Sequence, residues 1–400
     1  SLIAGALTVN GQKAQVVIAN PSGIKIDGAT FSNIQRLTLT TGTPIVENGT
    51  LAGFNISRGH ISVLAKGLNA LGTDYTEILS RSASIAGRVD AISVDVTTGS
   101  NSFDYQNGSI DINESSGTAP TLAIDTSALG GMYAGSINLL STEAGVGVRN
   151  AGILQAHGIA GQLFITADGR LENTGSLDAK VTSLATVSGN IDNKGTIQGD
   201  QVVAINSGAD FLHSGVGLKQ KEGAASAVFI NAGRNVALSS NALIASDGQV
   251  AQEDGSMKFG QISIAAKGRI DFNSNKISAS GAAYFSAGTD ITSMSSSTSS
   301  INEQTLMIAG GRINLYNADV IGRTIHLETG SAFTESSGSE DIYSIVSRIE
   351  SSEQTTLIAE GSILLQYMEG LYQDGSRTNS KLSSEGNIFL QAKNKITLSG

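Results

Sequence analysis

The 400-residue chain has no cysteine, no tryptophan and only three prolines, and its aromatic content is 5%. Without cysteine there are no disulfides and no thiolate metal sites, which suits a chain that crosses an oxidising compartment without cross-linking itself. So few large rings make a poor compact core for this length, because aromatics supply much of the buried area of globular domains. Glycine is abundant, at 48 residues, but it has no three-residue period and collagen is excluded. Net charge is −10 with no basic run, so no nucleic-acid partner is expected. Nor is a membrane-spanning segment expected, because no apolar stretch approaches the roughly 18 residues of a spanning helix. The chain opens Ser-Leu-Ile-Ala, with neither Met nor a signal peptide. Its export signal is therefore expected to be removed or to lie outside this sequence.

What the chain does contain is a repeat. A pattern of large apolar, any, small, three of any, large apolar occurs as Ile165-Thr-Ala167-Asp-Gly-Arg-Leu171 and Ile264-Ala-Ala266-Lys-Gly-Arg-Ile270. It recurs as Phe285-Ser-Ala287-Gly-Thr-Asp-Ile291, Met307-Ile-Ala309-Gly-Gly-Arg-Ile313 and Leu357-Ile-Ala359-Glu-Gly-Ser-Ile363. The small position reads Ala144, Ala167, Val187, Ser207, Ala232, Ala266, Ala287, Ala309, Thr329, Ala359 and Ala392, with basic steps of 20–23 residues. Four residues further on, all eleven positions are apolar, from Val148 to Ile396 and including Phe333, against 40% for the whole chain. The marked positions share parity, so on extended backbone they face one side. Asn150-Ala-Gly152, Asn173-Thr-Gly175 and Asn193-Lys-Gly195 mark a turn once per repeat, since Asn and Gly tolerate positive φ. Units of this length with such turns stack neighbour on neighbour as a solenoid. The Leu-rich consensus of a horseshoe and the roughly 40-residue units of a propeller are both missing. The predicted fold is all-β, a right-handed parallel β-helix with inserted loops near residues 245–261, 335–354 and 367–386.

Residues 16–44 carry a more specific signal. Val16-Val-Ile-Ala-Asn20-Pro21-Ser22-Gly23-Ile24, followed by Gly28-Ala-Thr-Phe31-Ser-Asn33-Ile-Gln-Arg36-Leu-Thr-Leu-Thr-Thr41-Gly42-Thr-Pro44, resembles the secretion domain of two-partner-secretion exoproteins. That family includes filamentous haemagglutinin and the contact-dependent growth inhibition effectors. Asp74-Tyr75-Thr-Glu-Ile-Leu-Ser-Arg81, Ala128-Leu-Gly-Gly131-Met-Tyr133 and Thr142-Glu143-Ala-Gly-Val-Gly-Val-Arg149-Asn150 look like later stretches of the same domain. The resemblance implies that residues 1–155 are the C-terminal part of a secretion domain and residues 156–400 a shaft of haemagglutinin-type β-helical repeats. The family's N-terminal cap and its second Asn-Pro motif have no counterpart, so the chain is expected to begin mid-domain. Any toxin or adhesive tip is expected beyond Gly400. Asn-Pro-Ser-Gly stands where the family more often has Asn-Pro-Asn-Gly, a change that keeps the turn.

The resemblance also implies an outer-membrane transporter as partner, secretion to the bacterial cell surface on the exterior of the outer membrane, and a receptor on a host or neighbouring cell. Asn20, Pro21, Ser22, Gly23 and Ile24 are the candidate transporter-recognition residues. Their plain alternative is a turn, in which Pro fixes φ and Gly supplies a positive one. Tyr343, Tyr367 and Tyr372 fall on two of the expected insertions and are candidate binding residues, since exposed tyrosine favours interfaces. The opposing reading packs them back on the shaft. His60, His157, His213 and His326 are scattered, without ligand spacing, so no metal and no cofactor is expected.

Some parallel β-helices are polysaccharide-active enzymes, and such sites need carboxylates clustered on neighbouring coils. The outward column three residues after the small position reads Arg170, Asn190, Asp210, Asn235, Arg269, Asp290, Arg312, with no two carboxylates adjacent. No catalytic residue is assigned and no enzyme is expected. Asp290 is expected between two guanidinium groups. Four sequons begin at Asn48, Asn55, Asn107 and Asn113, a number that chance gives in so Ser/Thr-rich a chain. The functional expectation is a stalk for adhesion or for toxin delivery by contact, with a pore-forming haemolysin of the same secretion family as the alternative.

Overall fold

A computed structural model describes residues 1–114, 117–215, 217–219, 227–239, 242–246, 248–330, 342–366 and 381–399. They form strands and turns, and 37 of the strands join one hydrogen-bonded sheet whose pairings are parallel. The fold is a parallel β-helix. Two compact units divide it, Ser1–Gln198 and Gly199–Gly400.

In the first unit, each coil lays its apolar residues on those of the coil before. One inward column runs Leu39, Ile78, Val96, Leu139, Ile165, Leu184 through successive strand pairs. Every member is at most 1% exposed. A second column, Leu68, Val89, Met132, Leu154, Leu177, closes another wall. Alternation along each strand sends every second residue into this interior, and no side chain needs to be aromatic to fill it. Burying one such aliphatic side chain stabilises by roughly 1.5–3 kcal/mol.

A third column changes chemistry along its length. It begins Ile26, Val63, Ile85, passes through Thr126, and continues as Asn150, Asn173 and Asn193. The three asparagines are buried and form an amide ladder: Asn150 Nδ2 donates to Asn173 Oδ1 at 2.9 Å, and Asn173 Nδ2 to Asn193 Oδ1 at 2.7 Å. The predicted turn is present, but for a different reason than a left-handed backbone. None of Asn150, Asn173, Asn193 or the glycines two residues later has a positive φ. The glycines are required by stacking: a Cβ on Gly175 would lie 2.0 Å from the Gly152 carbonyl oxygen, and one on Gly195 at 2.0 Å from that of Gly175.

The second unit follows the predicted register closely. Ser207, Ala232, Ala266, Ala287, Ala309, Thr329, Ala359 and Ala392 are consecutive partners in one column. Beside them runs the column Phe211, Val236, Ile270, Ile291, Ile313, Ile342, Ile363, Ile396. The backbone of the outward column is also in register, with Ile270 N donating to Asp290 O at 2.9 Å and Ile291 N to Arg312 O at 2.8 Å. Its side chains differ from expectation. Arg269 turns to Asp271 at 2.7 Å, and the Asp290 carboxylate accepts from the Arg312 backbone N–H at 2.7 Å. A short carboxylate reaches the next coil's amide without ordering a long side chain, so it caps the backbone.

Four expectations need correction. Ala144 and Val187 are exposed, and the partners of Ala167 are Ser141 and Thr186 instead. Counting by the small residue slipped where hydroxyl side chains fill the inward position. Ile342, not Phe333, takes the apolar place after Thr329; Phe333 lies outside the described residues. The insertion expected at 335–354 is shorter, because Ile342–Ile345 and Arg348–Ala359 are strands of the stack. Between 245 and 261 there is an insertion, the antiparallel hairpin Gln249–Ala251 and Met257–Phe259. Of 367–386, residues 367–380 lie outside the described residues, and Lys381–Ser384 pairs into the stack.

A separate four-stranded antiparallel sheet leaves the first unit's stack, made of Thr43–Glu47, Thr50–Ile56, Asn101–Asp104 and Ile110–Ile112. Phe54, Ile56, Phe103 and Tyr105 cluster with Leu79 of the stack and bury the sheet's inner face.

Candidate functional site

The strand Ala14–Ala19 lies parallel to residues 34–40 and leads into the Asn-Pro-Ser-Gly segment. Asn20 N donates to Thr40 O at 2.9 Å, which anchors the start of the turn to the next coil. Gly23 N returns to Asn20 O at 2.9 Å, closing a four-residue turn. The Asn20 side chain locks it a second time, its Oδ1 accepting from Ser22 N at 3.0 Å while its Nδ2 donates to Ser1 Oγ at 2.7 Å. Gly23 has φ of 107°, and a Cβ there would lie 2.8 Å from the His60 carbonyl oxygen. Glycine is thus required both by backbone conformation and by close approach. Ile24 is 1% exposed and pairs with Ile61, while Ser22 is exposed at the apex. The five residues form one rigid feature: a buried apolar foot, two backbone locks and an outward hydroxyl. The chemistry open to it is hydrogen bonding by the exposed Ser22.

His60, against which the turn rests, bonds Ser82 Oγ at 2.8 Å and Ser84 Oγ at 2.9 Å through its two ring nitrogens. Burial lowers its pKa, favouring the neutral ring. The other histidines are placed singly: His157 on Asp178 at 3.1 Å, His326 on Glu328 at 2.8 Å, and His213 stacked on Phe211. Among the described residues no three His, Asp or Glu side chains gather as a metal site would require.

The motif residues with no assigned role in the sequence come together beneath the antiparallel sheet. The Arg36 guanidinium reaches both Glu77 carboxylate oxygens at 3.0 and 3.1 Å, and donates to the Tyr105 carbonyl at 2.8 Å. It also lies 3.9 Å from the Tyr105 ring centroid. Thr38 Oγ1 donates to Glu77 at 2.9 Å, and Tyr75 OH to Asp95 at 2.7 Å. Glu77 and Asp95 are direct partners on adjacent strands. The carboxylate neighbours missing from the outward column therefore exist here. Desolvation by burial raises the pKa of each, and the Arg36 charge and its hydrogen bonds offset part of that shift for Glu77. Tyr75 is pushed well above the phenol range by burial and then by the Asp95 charge. Arg81 forms a second bidentate pair, with Glu143, at 2.8 and 3.1 Å. Arg36 meets Glu77 across 41 positions and Arg81 meets Glu143 across 62, so spacing in the sequence gives no sign of these pairs.

Tyr343 lies on the strand Ile342–Ile345 rather than on an inserted loop, and its ring meets Tyr316 of the preceding coil edge-on at 5.5 Å. Tyr343 is paired with Asn314, and its ring reaches diagonally along the same face to Tyr316, two positions further on, so it packs on the stack. Tyr367 and Tyr372 lie outside the described residues. Among the described residues no helix is long and apolar enough to cross a membrane.

Residues 1–173 match the family described as the TPS secretion domain. The chain is 42% identical over 200 residues to Toxin CdiA of Yersinia pestis, covering 50% of this chain and 6% of that protein. It is 43% identical over 180 residues to tRNA nuclease CdiA-2 of Burkholderia pseudomallei, covering 45% and 6%. A longer alignment, 29% identical over 332 residues, covers 83% of this chain and 9% of a tRNA nuclease CdiA of Escherichia coli. The chain thus spans under a tenth of the length of these relatives. The crystal structure of the filamentous hemagglutinin secretion domain is also similar, at 27% identity and a TM-score of 0.37 over 52% of this chain and 68% of that one. Residues 1–173, with their parallel coils and locked Asn-Pro-Ser-Gly turn, match the TPS secretion domain that two-partner-secretion exoproteins carry, and the CdiA proteins are relatives of this part of the chain.

Proposed function

We propose that this chain is the export segment and proximal shaft of a long surface exoprotein, and that Asn20 to Ile24 form the feature its outer-membrane transporter reads. In this reading residues 1–155 are the later part of the secretion domain and residues 156–400 the shaft. The observation that carries it is the doubly locked turn with Ser22 as its exposed apex. A turn needed only to reverse the chain has no use for two locks and a glycine fixed by the neighbouring backbone. Each coil emerging from the transporter buries its apolar face on the one before, which favours export coil by coil without an energy source outside the cell. The shaft holds a distal domain away from the producing cell, toward a receptor on a neighbouring or host cell. Relatives named as toxins favour contact-dependent delivery over a haemolysin. The nuclease activity in their names belongs to those proteins, and the proposal assigns no catalysis to this segment.

Asn20→Asp keeps the Oδ1 that accepts from Ser22 N, and Pro21→Ala keeps the Gly23–Asn20 closure, so both leave the purified segment folded. In the full-length protein expressed with its transporter, each is expected to lower the amount secreted several-fold at unchanged intracellular expression. Normal secretion of both variants defeats the recognition role and leaves a turn.

A further inference from the structure

The dipeptide Asn-Gly occurs three times in the chain, at Asn10–Gly11, Asn48–Gly49 and Asn107–Gly108, always in the first unit. It is the least hindered sequence for attack by a backbone amide nitrogen on the carboxamide before it, because glycine carries no Cβ. Sterically the three copies are alike. All six residues are exposed, and the glycines have φ of 93°, 78° and 75°. A Cβ added at any of the three glycines would meet nothing within 4 Å. Hydrogen bonding is what separates them.

At Asn107 every reacting group is held. The nucleophile, Gly108 N, donates to Asp104 O at 3.0 Å. The carboxamide is fixed at both ends, Nδ2 donating to Asp104 Oδ2 at 3.1 Å and Oδ1 accepting from Ser109 N at 2.7 Å. Turning the carboxamide onto Gly108 N breaks all three bonds. Asn48 and Gly49 are instead the two-residue tip between the paired Glu47 and Thr50, a type I′ turn by their φ of 51° and 78°. Among the described residues no hydrogen bond holds the Asn48 side chain or the Gly49 N–H. The strand Thr43–Glu47 that leads to them is exposed along its whole length at the edge of the sheet, so the tip opens at little cost. Asn10 is intermediate. Its side chain is unbonded, but Asn33 Nδ2 donates to Val9 O at 2.7 Å and to Gly11 O at 2.9 Å, bracing the backbone on either side.

We propose that Asn48 modifies itself in the folded protein, closing to a succinimide that opens to isoaspartate or aspartate, and that Asp104 protects Asn107 from the same reaction. Gly49 N attacks Cγ of Asn48. The N–Cγ bond forms, the Cγ–Nδ2 bond breaks, and ammonia leaves with the proton that Gly49 N gives up. Water then adds to one of the two imide carbonyls and breaks its bond to nitrogen. Opening at Cγ gives aspartate, and opening at the Asn48 main-chain carbonyl gives isoaspartate. Either product carries a carboxylate where the amide stood, and no oxidant, reductant or enzyme enters. Isoaspartate adds one backbone carbon to the tip, which no longer fits the pairing of Glu47 with Thr50. The edge strand is loosened with age, while Phe54 and Phe103 keep the inner face closed.

The test is timed peptide mapping by mass spectrometry of the full chain at neutral pH, native and in urea, with isoaspartate identified by a protein-isoaspartate methyltransferase. In urea the three asparagines are expected to convert at similar rates, because the dipeptide is the same. In the native chain Asn48 is expected to stay within a few-fold of that rate and Asn10 to be slower. Asn107 is expected to be slowest, by on the order of a hundredfold for three broken hydrogen bonds. Asp104→Ala is expected to raise conversion at Asn107 by about tenfold or more and to leave Asn48 unchanged. Equal native rates at Asn48 and Asn107 overturn the proposal, and that comparison needs no substitution. So does a native rate at Asn48 as far below its urea rate as that of Asn107. An Asn107 rate unmoved by Asp104→Ala overturns the protective role of Asp104.

Discussion

The two units solve the same stacking problem with different chemistry. In Gly199–Gly400, uninterrupted columns such as Ala232 to Ala309 and Val236 to Ile396 repeat one residue class coil after coil. In Ser1–Gln198, two aliphatic columns stand beside one that changes class along its length, from Ile85 through Thr126 to Asn150. Unique ion pairs such as Arg36–Glu77 and Arg81–Glu143 are buried in that unit, and an antiparallel sheet is added. The difference is between a surface that any repeat can continue and one that fixes particular groups in particular places. A recognition element needs the second kind, because only unrepeated contacts define a unique site along a solenoid.

The largest effect is expected where a unique contact is broken. Arg36→Ala leaves Glu77, 2% exposed, without its guanidinium, and takes the cation from the Tyr105 ring and carbonyl. Breaking a buried pair from one side costs about 3–5 kcal/mol. Chemical denaturation read at the Tyr105 cluster, together with hydrogen exchange on residues 43–56 and 101–112, should show the antiparallel sheet released first. Unchanged exchange there would mean that Phe54, Phe103 and Leu79 alone hold the sheet.

A middle effect is expected in the repetitive unit. Ala287 is 5% exposed between Ala266 and Ala309, and Ala287→Leu overfills that layer at a typical cost of about 1–3 kcal/mol. Asp290→Ala removes a cap on the Arg312 backbone N–H that faces outward, where water can replace it, and should cost at most about 1 kcal/mol. Thermal unfolding of the two variants side by side measures the ratio. Equal losses would break the distinction between inward and outward columns.

The smallest effect is on pH dependence, and it has opposite signs in the two units. Burial raises the folded-state pKa of Glu77 and Asp95 above ordinary carboxylate values, so the folded chain binds those protons more readily. Their desolvation penalty is complete at neutral pH and is relieved as pH falls through the raised values toward about 4. Glu350 is instead held down, first by its hydrogen bond to Lys381. Its contribution, at most about 1 kcal/mol for an exposed pair, is present above the ordinary glutamate value and lost as pH falls through the depressed one. Melting of Glu77→Gln between pH 7 and 4.5 should show less gain on acidification than the parent. Glu350→Gln should instead flatten the loss below pH 4. A parent and a Glu77→Gln variant with identical slopes would show that the buried carboxylate is not a source of the pH response.

Much of the second unit was legible because period and parity are properties of the chain itself. Ala266, Ala287 and Ala309 identify their partners by spacing alone, and Ile270, Ile291 and Ile313 follow four residues on. The reading slipped at Ala144, Val187 and Phe333, where a hydroxyl residue took an inward place or an insertion moved the count. The turn at Asn20 to Gly23 was readable from proline and glycine chemistry. Its second lock through the Asn20 side chain, and its fit against His60, were not.

The sequence by itself determined the coil, its period and which face turns inward, because those depend on residues a few positions apart on extended backbone. Only the tertiary structure decided what the coils bring together. Stacking converts about twenty residues of chain into one strand spacing, so groups remote in sequence become neighbours. That is how Arg36 meets Glu77, Glu77 meets Asp95, and three asparagines meet as one buried ladder. The glycines of that ladder make the same point. They look like residues chosen for a left-handed turn, and they are there because the next coil's carbonyl leaves no room for a Cβ.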